Sequence, residues 1–324
     1  MRQRILLFAA VGISISAAFS QPARADALFS VRNEAALSRS TALPTLGDAE
    51  ILAAGHARYD AQFDWSNEYV NVVNGGEALR LDGESERLTF GWHYGFGHGF
   101  DAGINLPLIF TGGGALDGVI EGWHGFFNLA NGGREFVPRN QYRYRYVRNG
   151  VTELDVTQGH AGIGDVELSA GYALRGDLAL RALAKLPTGS AANLSGGNAG
   201  GALWLDYDPF AGSRRWLGFV SGGVSYNAQS EVLSSLQRQW VGLAGAGVGF
   251  RAWPWLSFAT QFYGHTPLYR GSEIGALSRY GGQLTLGGQI RLAKTTTLEL
   301  AAQEDAILNS SPDFSIHLGL RITR

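Results

Sequence analysis

Strict alternation of residue types recurs along most of this 324-residue chain and constrains its fold more than any other feature. The clearest segment is 314–323, where every second residue is apolar: Phe314, Ile316, Leu318, Leu320 and Ile322. A period of two is that of a β-strand, because successive side chains point to opposite faces of the sheet. The pattern predicts about twelve strands, at 48–63, 77–96, 100–110, 165–174, 178–187, 200–208, 215–227, 239–252, 255–263, 280–292, 296–303 and 313–323.

The connections between these segments alternate between short and long. The short turns are 97–99, 175–177, 209–214, 253–254 and 293–295, whereas the longest connection is 111–164. Short turns at one end and long loops at the other are typical of transmembrane antiparallel up-and-down β-barrels. We therefore predict an all-β fold, a barrel of about 12 strands over 48–324 whose apolar face meets lipid.

Composition agrees with a membrane barrel and excludes several other classes. The chain has no cysteine, which excludes a disulfide scaffold, a thiolate zinc site and a cysteine nucleophile. The 26 Lys and Arg residues are balanced by 28 Asp and Glu residues, so no basic excess indicates a nucleic-acid partner. A soluble β-sandwich is the competing fold, but it uses shorter loops. Six aromatic residues near short turns predict a girdle at the membrane surface: Trp92, Tyr94, Phe96, Phe100, Trp253 and Trp255.

The first 25 residues are typical of a cleaved secretory signal peptide. Arg2 and Arg4 precede an apolar stretch over 5–19, and Ala23-Arg24-Ala25 fits an A-x-A cleavage site near Ala25. We therefore expect export and a location in the bacterial outer membrane. Residues 26–47 are then expected to form an N-terminal periplasmic segment.

The long connection 111–164 is the part of the barrel region that does not alternate as the strands do. Residues 115–127 predict a short helix, on which Asp117, Glu121 and His124 share one face. Downstream, alternating tyrosines and an Asn149-Gly150 turn predict a hairpin within 138–158. We expect the helix to fold inward as a plug, with these candidate residues: Asp117, Glu121, Trp123, His124 and Arg134.

Several short blocks resemble those of domain-of-unknown-function family 3187. The blocks are Val31-Arg-Asn33, Leu81-Asp-Gly-Glu-Ser-Glu-Arg87, Gly113-Gly-Ala-Leu-Asp-Gly-Val-Ile-Glu-Gly-Trp-His124 with Phe126, Gly132-Gly-Arg134, Pro138-Arg-Asn140 and Gly162-Ile-Gly-Asp-Val-Glu-Leu-Ser-Ala-Gly171. The resemblance implies an uncharacterised outer-membrane protein of Gram-negative bacteria and supplies no activity. Lys185-Leu-Pro-Thr-Gly189 also resembles a strand end common among barrels proposed to move hydrophobic compounds.

Charged residues on the polar strand faces are expected to pair inside the barrel, since buried charges need partners. The candidates are Arg87, Asp101, Glu167, Arg181, Lys185, Arg291 and Arg321. The pair Ser315 and His317 also lies on this face, but no Gly-x-Ser-x-Gly elbow supports catalysis, and no catalytic residue is assigned. Whether Asp117, Glu121 and His124 bind a metal or only hydrogen-bond to lumen arginines stays open.

The favoured function is non-enzymatic: a narrow or gated passage for small molecules, hydrophobic ones included, or a structural envelope protein. One alternative is an enzyme or metal site on the Asp117, Glu121 and His124 helix. Another is a surface protein that binds partners through the 138–158 hairpin. No cofactor is expected. The expected partners are outer-membrane lipid, an unidentified small-molecule cargo and the barrel-assembly machinery that this fold requires.

Overall fold

The computed structural model describes residues 27–127, 133, 136–195, 197–307 and 310–324. The predicted signal peptide therefore lies outside the described residues. Within them the strands are β1 Ala57–Asn74, β2 Glu77–Gly97, β3 Phe100–Gly112, β4 Arg143–Arg148, β5 Val151–Val156, β6 Ala161–Ile163, β7 Glu167–Arg175, β8 Leu178–Lys185, β9 Gly200–Tyr207, β10 Trp216–Asn227, β11 Trp240–Trp253, β12 Leu256–His265, β13 Gly281–Ala293, β14 Thr296–Ile307 and β15 Phe314–Thr323. The helices are α1 Asp117–Phe127 and α2 Gly275–Ser278, with 3-10 turns at Ala36–Ser38 and Ala191–Asn193.

Twelve of the described strands close into an antiparallel barrel, which confirms the predicted fold. Each wall strand pairs with its neighbour in the order β1, β2, β3, β7 and onward to β15, and β15 pairs with β1 to close the ring. The remaining strands extend the wall: β4 pairs with β2, β5 with β4, and β6 with the end of β3. Closure pairs each of the twelve wall strands with two neighbours, as a sheet in lipid requires.

The two faces of the wall differ as the alternation predicts. On β15 the side chains of Ser315, His317 and Arg321 are buried inside the barrel, whereas Leu318 on the opposite face is exposed. Among the outward residues are exposed aromatics beside the short turns: Trp92, Phe96, Phe100, Trp253 and Trp255. An apolar outer face with aromatic side chains near one rim is the surface that a bilayer solvates.

The two ends of the barrel are also unlike. Short turns such as 98–99, 176–177 and 294–295 join strands at one end, which we call the short-turn end. The opposite, long-loop end carries the segments 113–166, 186–199, 228–239, 266–280 and 308–313. No helix among the described residues is both long and apolar enough to cross a membrane.

The first strand begins later than predicted. The alternation suggested 48–63, but β1 spans Ala57–Asn74. Its upper half contains Asn67, Glu68, Asn71 and Asn74, and these polar residues hide the strand period. They are tolerated because the paired strands β1 and β2 continue past the rim of the barrel.

Residues 27–52 lie inside the barrel and lead through the exposed residues 53–56 to β1, and we call 27–56 the lumen segment. The expectation that 26–47 is a periplasmic segment is therefore wrong. Nearly every side chain from 28 to 44 is buried, including the apolar Leu28, Phe29, Leu37 and Leu43. Removing these side chains from water is favourable, and the barrel interior is the surface available to cover them.

A second set of buried residues covers the tip of the lumen segment at the long-loop end, and we call it the cap. It consists of the β4–β5 hairpin with the loops 228–239 and 266–280. The predicted turn of the hairpin is confirmed, because Asn149 and Gly150 both have positive φ angles, 49° and 80°. The apolar side chains of the cap form one cluster with those of the lumen segment: Tyr144, Tyr146, Val232, Leu233, Leu236, Leu268, Tyr269, Ile274 and Leu277 against Ala36 and Leu37.

Candidate functional site

The lumen segment rises from the short-turn end to the cap. Near the short-turn end, Gln289 Nε2 donates to the carbonyl oxygen of Ala27 over 2.7 Å. At mid-height Gln261 Nε2 donates to the carbonyl of Phe29 over 3.1 Å. At the long-loop end Asn33 Nδ2 lies 2.7 Å from His265 Nε2. Each wall residue in this series faces inward, so the chain follows the barrel axis upward.

The segment then turns at Ala36–Ser38 and descends. Asn227 Oδ1 accepts from the backbone N–H of Ala42 over 2.6 Å near the top of β10. Lower down, the carboxylate of Asp206 accepts from the N–H of Gly47 over 3.0 Å. Asp101 Oδ2 accepts from the N–H of Leu52 over 3.0 Å beside the short-turn end. The lumen segment is therefore a hairpin-like loop, and both of its ends lie at the short-turn end.

An upper ion cluster joins the rising leg to the wall. Arg32 donates to both oxygens of Glu167, at 2.5 and 3.0 Å. Arg87 Nη2 lies 3.2 Å from the same carboxylate, and Arg87 Nη1 lies 3.8 Å from Glu34. All four side chains are buried, and the cluster balances two positive against two negative charges. Buried charges are stable only when paired in this way.

A lower ion cluster joins the descending leg to the wall. Arg58 Nη1 lies 2.7 Å from Asp48, and Arg181 Nη2 lies 3.5 Å from the same carboxylate. Arg181 Nη1 also donates to Asp101 over 2.9 Å, and Arg181 Nε donates to the carbonyl of Asp48 over 2.8 Å. Its Nη2 donates to the carbonyl of Glu50. The guanidinium of Arg181 therefore bridges the lumen segment and β3.

One side of the lumen, formed by strands β8 to β12, carries many apolar side chains beside polar ones such as Arg181 and Gln261. Its inward apolar residues are Leu183, Ala202, Trp204, Leu217, Phe219, Val241, Leu243 and Tyr263. Leu28, Leu43 and Leu46 of the lumen segment belong to the same buried cluster. At Gly47 a β-carbon would lie 2.6 Å from the ring of Phe219, and the φ angle is +94°. Only glycine fits both the close approach and the backbone conformation.

Little free volume remains between the lumen segment and the wall. One cavity of about 10 Å³ lies beside the upper ion cluster, and one of about 50 Å³ lies beside the lower cluster. A water molecule needs roughly 10–15 Å³ of such volume, so these cavities hold a few waters and no larger solute.

The cap holds the tip of the lumen segment. The hydroxyl of Tyr269 donates to the carbonyl of Leu37 over 2.9 Å, and it lies 3.5 Å from Ser40 Oγ. Burial raises the pKa of Tyr269 to about 12, so the phenol remains a donor at physiological pH. Around it, Ser272 Oγ and the N–H of Glu273 donate to the carboxylate of Glu77, at 2.5 and 3.1 Å. Cap, wall and lumen segment are thus joined by hydrogen bonds.

A further ion network on the wall includes His317. Its Nδ1 lies 2.7 Å from Asp64, and its Nε2 lies 3.3 Å from Glu299. Arg321 Nη2 lies 3.0 Å from Glu299 and also donates to Ser30 Oγ of the lumen segment over 2.9 Å. The hydroxyl of Ser315 instead pairs with that of Ser66 at 2.9 Å, so Ser315 and His317 have separate partners.

The sequence-predicted lumen charges lie on the inner face of the wall. Arg87 and Glu167 are in the upper ion cluster, Asp101 and Arg181 are in the lower one, and Arg321 contacts Glu299. The remaining candidates are Lys185, whose ammonium pairs with Asp165 and lies 2.6 Å from the carbonyl of Asn198, and Arg291, which is half-buried near the short-turn end.

The helix α1 lies on the outer surface of the wall, so the expectation that it folds inward is wrong. Its Leu116 and Ile120 are buried against Trp65, Phe314 and Ile316. These wall residues alternate with Ser66 and Ser315, whose hydroxyls meet inside the barrel. Trp65 and Ile316 therefore point outward, and the lumen segment occupies the position foreseen for the helix.

The candidate residues of α1 have partners at the outer wall. Asp117 Oδ1 accepts from Asn67 Nδ2 over 3.0 Å, and its Oδ2 accepts from the N–H of Asn140 over 2.7 Å. Glu121 accepts from Arg139 Nε over 3.1 Å. Arg134 and the side chains of Trp123 and His124 lie outside the described part of the chain. Within the described part, no group of three or more His, Asp or Glu side chains could hold a metal ion.

The hairpin proposed as a partner surface has one buried face. Tyr144 and Tyr146 pack against Leu79 and Leu81 within the cap cluster. The other strand of the hairpin is exposed, with Val151 the most exposed of its apolar side chains. The tyrosines that defined the alternation thus stabilise the cap.

One feature of the sequence points to the lumen segment although it forms no periodic pattern. Apolar residues are frequent over 28–46, yet they follow neither a period of two nor a period of 3.6. A segment of this kind is shaped by the surface that it contacts and not by its own hydrogen bonds. Its contacts in the barrel supply that surface.

The comparison with known families assigns the sequence. It matches the family described as "Protein of unknown function (DUF3187)" over residues 6–323. The chain belongs to this family. Among curated proteins, no relative matches it.

Comparison with solved structures agrees with the barrel fold. The COG4313 outer membrane channel from Pseudomonas putida F1 is similar, with a TM-score of 0.56 and 16% identity, over 86% of this chain and 98% of that chain. The NanC porin has a TM-score of 0.44 at 11% identity, over 82% of this chain and 98% of that chain. The Pseudomonas putida toluene transporter TodX has a TM-score of 0.36 at 12% identity, over 92% of this chain and 98% of that chain. At these identities the likeness concerns the fold alone, which is that of outer-membrane barrels.

Proposed function

We propose that this protein is a gated passage for small molecules across the outer membrane and that the lumen segment is its gate. The single observation that carries the proposal is the filled lumen: residues 27–52 occupy it, and two cavities beside them have volumes of only about 10 and 50 Å³. A barrel with a purely structural role could fill its interior with side chains from the wall alone. Here a separate segment, joined to the wall at β1, does so.

The path of the lumen segment supports a gate that can withdraw. Both of its ends lie at the short-turn end, where Ala27 contacts Gln289 and Gly55 N–H donates to the carbonyl of Gly95 over 3.0 Å. In outer-membrane barrels this end faces the periplasm. The loop can therefore leave the lumen on the periplasmic side without threading through the wall.

The contacts that hold the segment are suited to reversible release. Many are hydrogen bonds and ion pairs to wall residues, such as Arg32 to Glu167 and Asp48 to Arg58. Water can replace such contacts, so each contributes only about 0.5–1.5 kcal/mol net when neutral and about 1.5–3 kcal/mol when charged.

The apolar side of the lumen favours cargo with hydrophobic surface. Once the segment withdraws, the inward side chains of Trp204, Leu217, Phe219 and Leu243 line one side of the passage, opposite the charged strands. We expect vesicles containing the protein to take up a small aromatic compound faster than a sugar of similar mass. Equal rates would contradict the cargo class without contradicting the passage.

A reversible lock tests the gate. A β-carbon at Gly200 would lie 2.9 Å from that of Ala42, which is shorter than the roughly 3.5–4.5 Å of a disulfide, so the two backbones must move slightly apart for the bond to form. Because the chain has no cysteine, Ala42→Cys with Gly200→Cys introduces the only thiols. In planar bilayers we expect the oxidised double variant to be silent and the reduced form to conduct as the wild type does.

Two further variants make the test decisive. Ala42→Cys alone should respond to neither oxidant nor reductant. A variant in which 28–46 are replaced by a short glycine-serine linker should conduct continuously. If this variant neither conducts nor accelerates solute uptake, the passage is excluded and a structural envelope role is favoured.

A further inference from the structure

The helix α1 is fixed to the outer wall by polar contacts as well as by packing. The carboxylate of Glu84 on β2 accepts from the N–H groups of Ala115 and Leu116, at 3.0 and 2.5 Å. It also accepts from Trp65 Nε1 over 2.7 Å and from Asn67 Nδ2 over 3.1 Å. Glu84 therefore accepts hydrogen bonds both from residues just before the helix and from side chains of the wall. Its negative charge also interacts favourably with the helix dipole at the N-terminus.

The height of α1 on the wall puts it within the span of the strands. The outward apolar residues of β15 run from Phe314 to Ile322, close to the roughly 9–11 residues that a tilted strand needs to cross a bilayer. Ile120 of the helix packs with the upper two of these positions, Phe314 and Ile316. The lower position Leu318 remains exposed.

The surface beside the helix is continuous with the exposed apolar wall. Ile316 pairs in register with Ala302, and Ala302 pairs with Leu286. The first two of these residues pack against the helix cluster, whereas Leu286 is 55% exposed. The area of wall that the helix covers is therefore bordered by Leu286, which faces the same surroundings as the rest of the outer wall.

The side of α1 away from the wall is apolar and glycine-rich. Val119 is 54% and Phe126 82% exposed, and the exposed Gly118 and Gly122 carry no side chain. The acidic residues of the helix are turned to partners, since Asp117 contacts Asn67 and Asn140, and Glu121 contacts Arg139. An apolar helix face whose described acidic side chains are paired can contact acyl chains at low cost.

We propose that α1 is a lipid-contacting helix of the outer leaflet. Its Leu116 and Ile120 bind the wall, and its opposite side, with Val119 and Phe126, lies among the lipid acyl chains near the headgroup boundary. This role requires a barrel that lies in a bilayer and does not depend on transport through the lumen. The helix then anchors the start of the long loop 113–166 at the membrane surface.

Site-directed fluorescence tests the proposal on the full chain. Since the chain lacks cysteine, Val119→Cys and Phe126→Cys each give a single site for a bimane label. The labelled proteins are reconstituted in phosphatidylcholine vesicles that contain nitroxide-labelled lipid, or in plain vesicles with iodide in the buffer. Leu286→Cys is the control for a lipid-facing wall position, and Val151→Cys, at the exposed hairpin, is the control for water.

We expect both helix labels to lose as much fluorescence to the lipid nitroxide as the Leu286→Cys label does, and to resist iodide. Quenching like that of the Val151→Cys label would overturn the proposal, because the helix would then face water. Resistance to both quenchers would also overturn it, since protein such as a second copy would then cover the helix. Adding Ile120→Asn to the Val119→Cys variant should shift the label from lipid to iodide quenching, and heat-modifiable gel migration checks that each barrel is folded.

Discussion

The guanidinium of Arg32 forms a bidentate ion pair with the carboxylate of Glu167, and both side chains are buried. This contact joins the lumen segment to β7 near the long-loop end. Loss of one partner from a buried pair costs about 3–5 kcal/mol, because the other charge stays buried with fewer partners. Substitution of either partner should therefore weaken the hold of the wall on the lumen segment.

Arg32→Ala should raise the open fraction of the barrel. A loss of about 3 kcal/mol corresponds to roughly 100-fold in the ratio of open to closed lumen. Conductance in planar bilayers measures the effect. Arg175→Ala is the matched control, because Arg175 forms an exposed ion pair with Asp177 at a short turn. Equal conductance of the two variants would exclude the pair from gate closure.

Gly47→Ala should loosen the descending leg of the lumen segment. The new β-carbon would meet the Phe219 ring at 2.6 Å, and the φ angle of +94° adds strain. Gly55→Ala is the control that separates packing from backbone strain. Gly55 also has a positive φ angle, +80°, but no atom lies within 4 Å of a β-carbon added there. Both variants lose about 1–2 kcal/mol to the backbone, whereas overpacking costs Gly47→Ala a further 1–3 kcal/mol or so. A thiol-reactive dye on an added Ala42→Cys should react faster in the Gly47→Ala background only.

Tyr269→Phe should weaken the hold of the cap on the lumen segment. The substitution removes the donor to the carbonyl of Leu37 and keeps the ring. A neutral hydrogen bond contributes about 1 kcal/mol, so we expect an increase of roughly fivefold in channel opening. Tyr280→Phe in the same region is the control, because Tyr280 is exposed. A response of Tyr280→Phe as large as that of Tyr269→Phe would show that the cap does not act through this bond.

The strands of the wall were predictable because apolar residues alternate with polar or small ones along them. On β15 the alternation from Phe314 to Thr323 identifies both the strand and the side chains that face lipid. The upper half of β1 was not predictable, since Asn67 contacts the outer helix and Glu68 contacts the lumen segment. Glu68, for example, accepts from the N–H of Ala36 over 3.0 Å.

The position of the two non-strand elements could not be derived from local sequence. The helix α1 was expected, but its polar residues Asp117 and Glu121 fit lumen arginines as well as they fit Asn67 and Arg139 on the outside. The lumen segment has no period, because its shape depends on wall residues more than a hundred positions away, such as Glu167 and Asn227. Long-range contacts of this kind leave no trace in the spacing of neighbouring residues.

The outer position of α1 makes a prediction that separates it from the gate. Ile120 is fully buried against the wall, so Ile120→Ala should make the free energy of packing the helix on the wall less favourable by about 2–4 kcal/mol. Amide hydrogen exchange over 116–127 should then accelerate by roughly 100-fold, since each 1.4 kcal/mol is a factor of ten. Val151→Ala, on the exposed hairpin, should leave exchange over 116–127 unchanged. Conductance should stay at the wild-type level in both variants, because the lumen segment closes the barrel independently of the helix. A rise in conductance for Ile120→Ala comparable to that for Arg32→Ala would contradict this separation, because it would mean that α1 contributes to closure of the lumen.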